Sequence, residues 1–139
     1  PFAYLHIGWA GSRQVERRNL RAARRVRTEL QCMVYPGQQT SGRFAKGRIH
    51  DLSTAGAAIQ LQDDLAVFYD EVRVVFRLQV AEQEILIEAR ARAVRKPEAG
   101  STDPTLGVAF VGLGDTERLA LHAFVNSALV QDLELPLYA

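Results

Sequence analysis

The sequence predicts an all-β domain with one C-terminal α-helix, in which six antiparallel strands close into a small barrel. Three observations lead to this prediction. Apolar and polar residues alternate in several short runs, and turn-forming residues separate these runs. A 3.6-residue apolar period is found only near the C-terminus. The 139 residues are enough for one domain with its own core.

Six runs alternate with a period of two and end at turn residues, namely 28–34, 44–52, 57–61, 72–80, 85–94 and 106–111. The clearest is Val72–Val80, with five apolar residues at every second position. It is predicted to form a hairpin with Ile85–Val94 around the polar residues 81–84. The second and third runs are joined by a turn at Ser53–Gly56, just after Asp51.

The helix is predicted to begin with Asp115 as its N-cap, with Glu117 in the first turn, where the helix dipole favours an anion. Its apolar face consists of residues spaced along one side of a helix, namely Leu121, Phe124, Val125, Ala128 and Leu129. We expect this face to cover one opening of the barrel. The tail from Leu133 contains Pro136, so it should not continue the helix for long.

Positive charge is concentrated in one segment, although the net charge of the chain is only +1. Residues 13–27 hold seven arginines and one glutamate, whereas the rest of the chain is mildly acidic. Arginine occupies every fourth position from Arg13 to Arg25, so a helix here would stack like charges on one face. An anionic partner would neutralise and order this segment, which predicts an anion-binding function.

Several other function classes are disfavoured. His50 and Ser53 are too close along a strand for triad geometry, and no Gly-x-Ser-x-Gly motif is present. The segment 112–114 lacks the third glycine of a dinucleotide-binding motif. The single cysteine, Cys32, provides neither a disulfide nor a metal cluster, and no apolar run is long enough to span a membrane. We therefore expect no enzyme activity, no catalytic residue, no metal or cofactor, and no membrane span.

Two short motifs carry groups that can bind an anionic nucleotide. The first is Arg21-x-x-x-Arg25, and the second is Asp51-x-Ser53-x-x-Gly56 at the end of a predicted strand. Guanidinium groups pair with phosphates and stack on purines. A carboxylate accepts hydrogen bonds from the N1 and N2 groups of guanine, and a serine hydroxyl offers a short contact to a base or phosphate. Glycine permits a positive φ or a close approach of the backbone to the ligand.

These motifs, in this order and beside matching strands, resemble the two signature motifs of the PilZ domain family. The similarity continues through the hairpin and through Gly107 and Phe110, which resemble the late Gly-x-x-Phe strand of the family, to the closing helix. It spans residues 17–130. The resemblance implies a six-stranded, split-barrel-like PilZ barrel that binds cyclic di-GMP, usually as a stacked, intercalated dimer. It also implies the ligand-binding residues, which are Arg21, Arg25, Asp51, Ser53 and Gly56.

The arginine repeat leaves two alignments of the first motif open. Arg17 and Arg21 also satisfy its spacing, and Arg17 with Arg18 resembles the paired arginines that often open it. We prefer Arg21 and Arg25, because Arg25 lies next to the first strand as in the family pattern. Arg24 is then an auxiliary phosphate contact.

The chain is predicted to contain one domain and the end of another. Residues 1–15 form a strand and linker that resemble the end of the small barrel preceding PilZ in flagellar-brake proteins. Residues 16–139 form the PilZ domain, divided into the arginine linker at 16–27, the barrel at 28–112, and the helix and tail at 115–139. The N-terminal similarity slightly favours a role in motility over polysaccharide synthesis.

The resemblance implies a cytoplasmic receptor for cyclic di-GMP. Ligand binding would order the arginine linker onto the barrel and change a contact with a protein of the flagellar motor or the polysaccharide machinery. Motility, biofilm or exopolysaccharide would respond, and a homo-oligomer is compatible with this role. One alternative is an interaction module of the same fold that binds no nucleotide. Another, nucleic-acid binding, is disfavoured because the outward strand positions form no aromatic stacking surface.

Overall fold

Six strands and one helix make up the part of the chain that the structure, a computed structural model, describes, namely residues 23–37, 42–62, 70–98 and 100–138. The strands are β1 (Val26–Pro36), β2 (Ala45–Leu52), β3 (Gly56–Leu61), β4 (Glu71–Val80), β5 (Gln83–Arg95) and β6 (Thr105–Gly112), and the helix is α1 (Asp115–Tyr138). The predicted all-β architecture with one C-terminal helix is confirmed. The predicted strand at residues 1–15 and most of the arginine linker lie outside the described residues.

The strands form a closed antiparallel barrel in the order β1-β2-β3-β6-β5-β4, with β4 paired back to β1. Each strand therefore has a hydrogen-bonded neighbour on both sides over at least part of its length. Because two neighbours fix the position of every strand, a slip of one residue would turn its apolar side chains to solvent. Closure thus determines which side chains face outward at any point of the barrel.

The interior is filled by inward-facing aliphatic side chains, including Val34, Ile49, Ile59, Val74, Leu78, Ile87 and Val108. Phe76 and Phe110 stack among them with ring centroids 6.4 Å apart. Gly47 is required by the packing, since a Cβ there would lie 2.7 Å from Cγ2 of Ile59. Burial raises the pKa of the Cys32 thiol to about 12, so this side chain stays protonated and packs as a small apolar group.

The helix α1 packs against β4, β5 and β1. Ala120, Leu121 and Val125 are buried and join the barrel core. Phe124, Ala128 and Leu129 are partly buried against the same core, as the predicted apolar face requires. The tail from Leu133 continues the helix to Tyr138, further than Pro136 predicts. A proline this close to the end removes a backbone donor only from the last turns, so the helix tolerates it.

Among the residues that the structure describes, no helix combines the length and the apolar character that crossing a membrane requires.

The start of α1 differs from the prediction by one residue. The Gly114 carbonyl accepts the first helical hydrogen bond from the Arg118 N–H at 2.9 Å, so Gly114 is the N-cap and Asp115 is the first helical residue. The side chain that binds the backbone at this helix end is that of Glu117, not Asp115. Its Oε1 accepts from the Gly114 N–H at 2.8 Å, and its Oε2 accepts from the Glu88 N–H at 2.6 Å. One carboxylate therefore joins the helix to β5.

The hairpin between β4 and β5 turns more tightly than predicted. Val80 pairs with Gln83, which leaves only Ala81 and Glu82 in the loop. Both have positive φ, at 49° and 68°. This is the left-handed geometry of a two-residue type I′ turn, which asparagine and glycine adopt more readily than alanine or glutamate. The two-residue turn was not predicted from the sequence, because alanine and glutamate are rare at the central positions of a type I′ turn.

We predict that the double substitution Ala81→Asn, Glu82→Gly stabilises the domain by about 1 kcal/mol, since it relieves left-handed strain at two non-glycine residues. Thermal unfolding followed by circular dichroism should show a rise of several degrees in Tm. Gly100→Ala is the matched control. Gly100 has φ of +78° and no atom within 4 Å of an added Cβ, so this change introduces strain alone and should lower Tm. An unchanged Tm in the double variant would contradict the turn geometry.

We further predict that Glu117→Ala destabilises the domain by about 1 kcal/mol, because two exposed backbone N–H groups exchange a carboxylate acceptor for water. Urea denaturation measures the change. Asp115→Ala serves as the control, because the Asp115 side chain is 98% exposed and contacts only Arg118 at 3.7 Å. If Asp115 were the true cap, the order of the two effects would reverse.

Candidate functional site

A β-bulge in β2 determines where Asp51 points. Ile49 lies opposite Ile59 of β3, but Asp51 lies opposite Ala58, so β2 contains one extra residue, His50. Strict alternation from the buried Ile49 would direct the Asp51 side chain into the core. The bulge instead leaves both His50 and Asp51 partly exposed, and bulges commonly redirect a side chain in this way. The carboxylate therefore faces outward.

Ser53 holds the turn that follows. Its Oγ accepts hydrogen bonds from the N–H groups of Ala55 and Gly56, both at 3.1 Å, and donates to the Gly56 carbonyl at 3.3 Å. The Ser53 N–H donates to the same carbonyl at 2.9 Å. The residue is 3% exposed, so its hydroxyl is already used within the turn. In this geometry Ser53 shapes the backbone of the turn, and its predicted contact with a base or phosphate stays a prediction.

Gly56 begins β3 and pairs with Ala109 of β6. Of the two predicted roles of Gly56, a positive φ or a close approach to the ligand, the first is not found, because positive φ among the described glycines occurs only at Gly37, Gly42 and Gly100. Gly56 is buried and still lines the surface cleft described next. The remaining predicted role of Gly56 is a close approach of the backbone to a ligand, which the small size of glycine permits.

One cleft of about 140 Å³ brings the predicted residues together. Arg25, Asp51, Ser53 and Gly56 all line it. Arg24 is exposed but does not line the cleft, and Arg17, Arg18 and Arg21 lie outside the described residues. The position of Arg25 agrees with the preferred alignment of the first motif, whereas the choice between the two alignments stays a prediction.

The opposite side of the cleft belongs to β5 and β6 and was not predicted. Its lining includes Val94, Arg95, Thr105 and Gly107. A second bulge aims these side chains, because Ala93 lies opposite Val108 whereas Arg95 lies opposite Gly107, with Val94 as the extra residue. The alternation pattern of the sequence contained a signal for this bulge. Alternation from Ala89 to Ala93 would place Arg95 inside the barrel, where an unpaired arginine is costly.

The two bulges bring paired residues of five neighbouring strands into one continuous row around the barrel. Arg27 of β1 lies opposite Asp51, Asp51 opposite Ala58, Ala58 opposite Gly107, and Gly107 opposite Arg95. Residues directly opposite one another in neighbouring strands face the same side of a sheet. The row therefore presents a guanidinium, a carboxylate, a methyl group, a bare backbone and a second guanidinium in that order.

Asp51 stands between this cleft and a second one formed on the β1 side by Arg27, Thr28, Glu29 and His50. His50 Nδ1 lies 3.6 Å from Asp51 Oδ2. The Thr28 hydroxyl donates to the Ile49 carbonyl at 2.6 Å, where the pairing of β1 with β2 is also irregular. The Asp51 carboxylate, 33% exposed, can thus be approached from the cleft while its other side faces His50.

Comparisons with known proteins agree with this architecture. The model of the PilZ domain family matches residues 17–127. No curated protein matches the sequence.

Among solved structures, the chain is similar to the Bacillus subtilis inhibitor of motility MotI/DgrA, with 19% identity and a TM-score of 0.64 over 82% of this chain and 52% of that one. The chain thus spans about half the length of the Bacillus protein. It is also similar to the PilZ domain of YcgR from Escherichia coli with c-di-GMP, with 17% identity and a TM-score of 0.56 over 81% of this chain and 94% of that one. The PilZ domain of CeSA from a cellulose-synthesizing bacterium gives 14% identity and a TM-score of 0.50 over 79% and 99%. At these identities the similarity shows the fold.

We predict that Ser53→Ala destabilises the protein in the absence of any nucleotide, by about 1–2 kcal/mol, since the buried N–H groups of Ala55 and Gly56 lose their acceptor. Urea denaturation of the ligand-free protein measures this. Thr54→Ala, at the partly exposed neighbouring position, should change stability much less. Equal stability of Ser53→Ala and the unmodified protein would show that the hydroxyl does not hold the turn.

Proposed function

The chain belongs to the PilZ domain family of cyclic di-GMP receptors, and we propose that it binds cyclic di-GMP in the cleft that Asp51 and Arg25 line. One observation carries the proposal. Arg25 and the Asp51–Gly56 segment are separated along the chain, yet they border one cleft. Their chemistry suits the nucleotide, because Asp51 offers an acceptor to the N1 and N2 donors of guanine and Arg25 offers charged donors to a phosphate.

The cleft is too small to enclose a whole cyclic dinucleotide. At about 140 Å³ it is smaller than the 300–1,000 Å³ typical of sites that enclose a drug-sized molecule. One base of the dinucleotide would occupy the cleft, and the rest would lie on the surface beneath the arginines that precede β1. A stacked dimer of the ligand, held from above by Arg21 and Arg25, fits this arrangement.

Ligand binding would act through the arginine segment. Arg24 and Arg25 are exposed, and in the part of the chain that the structure describes neither guanidinium has an ion pair. Two phosphates would neutralise the mutual repulsion of the arginines and draw the segment onto the barrel. The new surface would then change the contact with a protein partner in the flagellar motor or in polysaccharide synthesis. The chain would act in the cytoplasm as a receptor without an enzymatic reaction of its own.

The similar proteins support both classes of partner. One of them is named for inhibiting motility, and another is the PilZ domain of a protein from a cellulose-synthesizing bacterium. Identification of the protein partner of this chain would decide between control of motility and control of polysaccharide synthesis.

Isothermal titration of the protein with cyclic di-GMP tests the proposal. We predict that Arg25→Ala and Asp51→Ala each weaken binding tenfold or more, because each removes a charged hydrogen-bonding group of roughly 1.5–3 kcal/mol. Arg77→Ala is the control. Arg77 is an exposed arginine of β4 that pairs with Glu84 at 3.5 Å and does not line the cleft, so its loss should leave the affinity unchanged.

Absence of heat at tens of micromolar cyclic di-GMP would reject the receptor function in favour of the interaction module that binds no nucleotide. An equal loss of affinity in the Arg77 and Arg25 variants would place the ligand elsewhere on the surface.

A further inference from the structure

We propose that Arg95 is a second guanine-recognition residue of this site, which binds the O6 and N7 edge of the base whose N1 and N2 edge faces Asp51. The inference rests on the proposed binding of cyclic di-GMP and adds a residue to it that neither sequence motif contains. It would make the barrel surface alone, without the arginine linker, selective for guanine.

The two charged residues lie on different strands and line one cleft. Asp51 lies on β2 and Arg95 on β5, and two strands, β3 and β6, separate them in the barrel. Neighbouring strands are about 4.8 Å apart, so the path along the sheet between the two backbones is about 14 Å, and the curvature of the closed barrel makes the straight separation shorter. Both side chains line the same cleft from opposite sides. A planar base between them can meet the carboxylate with one edge and the guanidinium with the other.

The row between the two charged residues carries no bulky side chain that would block such a base. Between Asp51 and Arg95 the row contains only Ala58 and Gly107, which carry a methyl group and no side chain. A Cβ at Gly107 would lie 3.1 Å from the Arg95 Cβ, so glycine lets the Arg95 stem lie close against β6. No larger side chain stands in the row between the two charged groups.

Arg95 is available for a ligand. It is exposed, and no ion pair to it is found among the described residues. Its neighbour Lys96 differs, since Lys96 Nζ lies 2.7 Å from Asp70 Oδ1. The bulge at Val94 holds Arg95 on the outer face beside the cleft, and the register with Gly107 fixes its position along β5.

The two edges of the base that face Arg95 and Asp51 determine which base can bind. Guanine carries two acceptors, O6 and N7, on the edge that arginine binds with two hydrogen bonds. Adenine places the N6 amino group next to N7, so a guanidinium there would meet a donor with a donor. Adenine also lacks the N2 amino group and the N1 proton that a carboxylate requires. Asp51 and Arg95 together therefore select guanine at both edges.

The experiment compares cyclic di-GMP with its 7-deazaguanine analogue, which lacks the N7 acceptor, by isothermal titration at constant salt. The proteins are the full chain, Arg95→Ala, Arg95→Lys and the control Arg77→Ala. We expect Arg95→Ala to weaken cyclic di-GMP binding roughly ten- to a hundredfold, the range of one bidentate arginine–guanine pair. Arg95→Lys keeps the charge without the planar fork and should recover only part of the loss.

The analogue separates base recognition from phosphate binding. The unmodified protein and Arg77→Ala should bind the 7-deaza analogue more weakly than cyclic di-GMP, whereas Arg95→Ala should bind the two nucleotides equally. If Arg95→Ala still distinguishes them, or if Arg95→Lys restores full affinity, Arg95 binds a phosphate and the inference is wrong. Unchanged affinity in Arg95→Ala also overturns it. If the unmodified protein binds neither nucleotide, the proposed function itself has failed.

Discussion

The site depends on one constraint, the register of β2, β3, β6 and β5 in a closed barrel. Asp51, Ala58, Gly107 and Arg95 form a row only because β2 and β5 each contain one extra residue at a bulge. Without either bulge, simple alternation would point that strand's charged side chain into the core, where an unpaired charge is strongly disfavoured. Burial of Ile49 and Leu52 on the two sides of the β2 bulge holds it in place. The register that closes the barrel therefore also positions the barrel side of the site.

The sequence predicted the strands and the helix well, because their signals are local. Period-two alternation in β4 and the 3.6-residue period of α1 report directly which face is buried. Two details were missed although each lies within a few residues of sequence. The cap of α1 is a carboxylate that also binds a backbone N–H of β5, and the turn at Ala81–Glu82 adopts a geometry that neither residue favours. The contact between α1 and β5 and the pairing of β4 with β5 are made in the assembled barrel, and single-residue propensities do not report them.

The candidate site was predicted in part for the same reason. Arg25 and Asp51 belong to recognisable motifs, and the structure places both at one cleft. Arg95 belongs to no motif, and only its register with Gly107 connects it to Asp51. A break in alternation was the available signal, since an arginine at an inward position is a conflict that a bulge resolves. For Ser53 the motif did not indicate that the hydroxyl makes hydrogen bonds inside the turn, and its contact with a ligand stays a prediction.

This arrangement bears on how binding could be transmitted. The turn at Ser53–Gly56 is held by hydrogen bonds to a buried hydroxyl, and the floor of the cleft belongs to strands with partners on both sides. A ligand that meets a preformed surface of this kind gains affinity there but moves it little. A signal needs an element whose position differs between the free and bound states. Arg24 and Arg25, just before Val26, are exposed and have no ion pair among the described residues, so under the proposed function the arginine segment is that element. Under the proposed function, the barrel side of the site would set selectivity for guanine, and the arginine segment would convert occupancy into a change that a partner can detect.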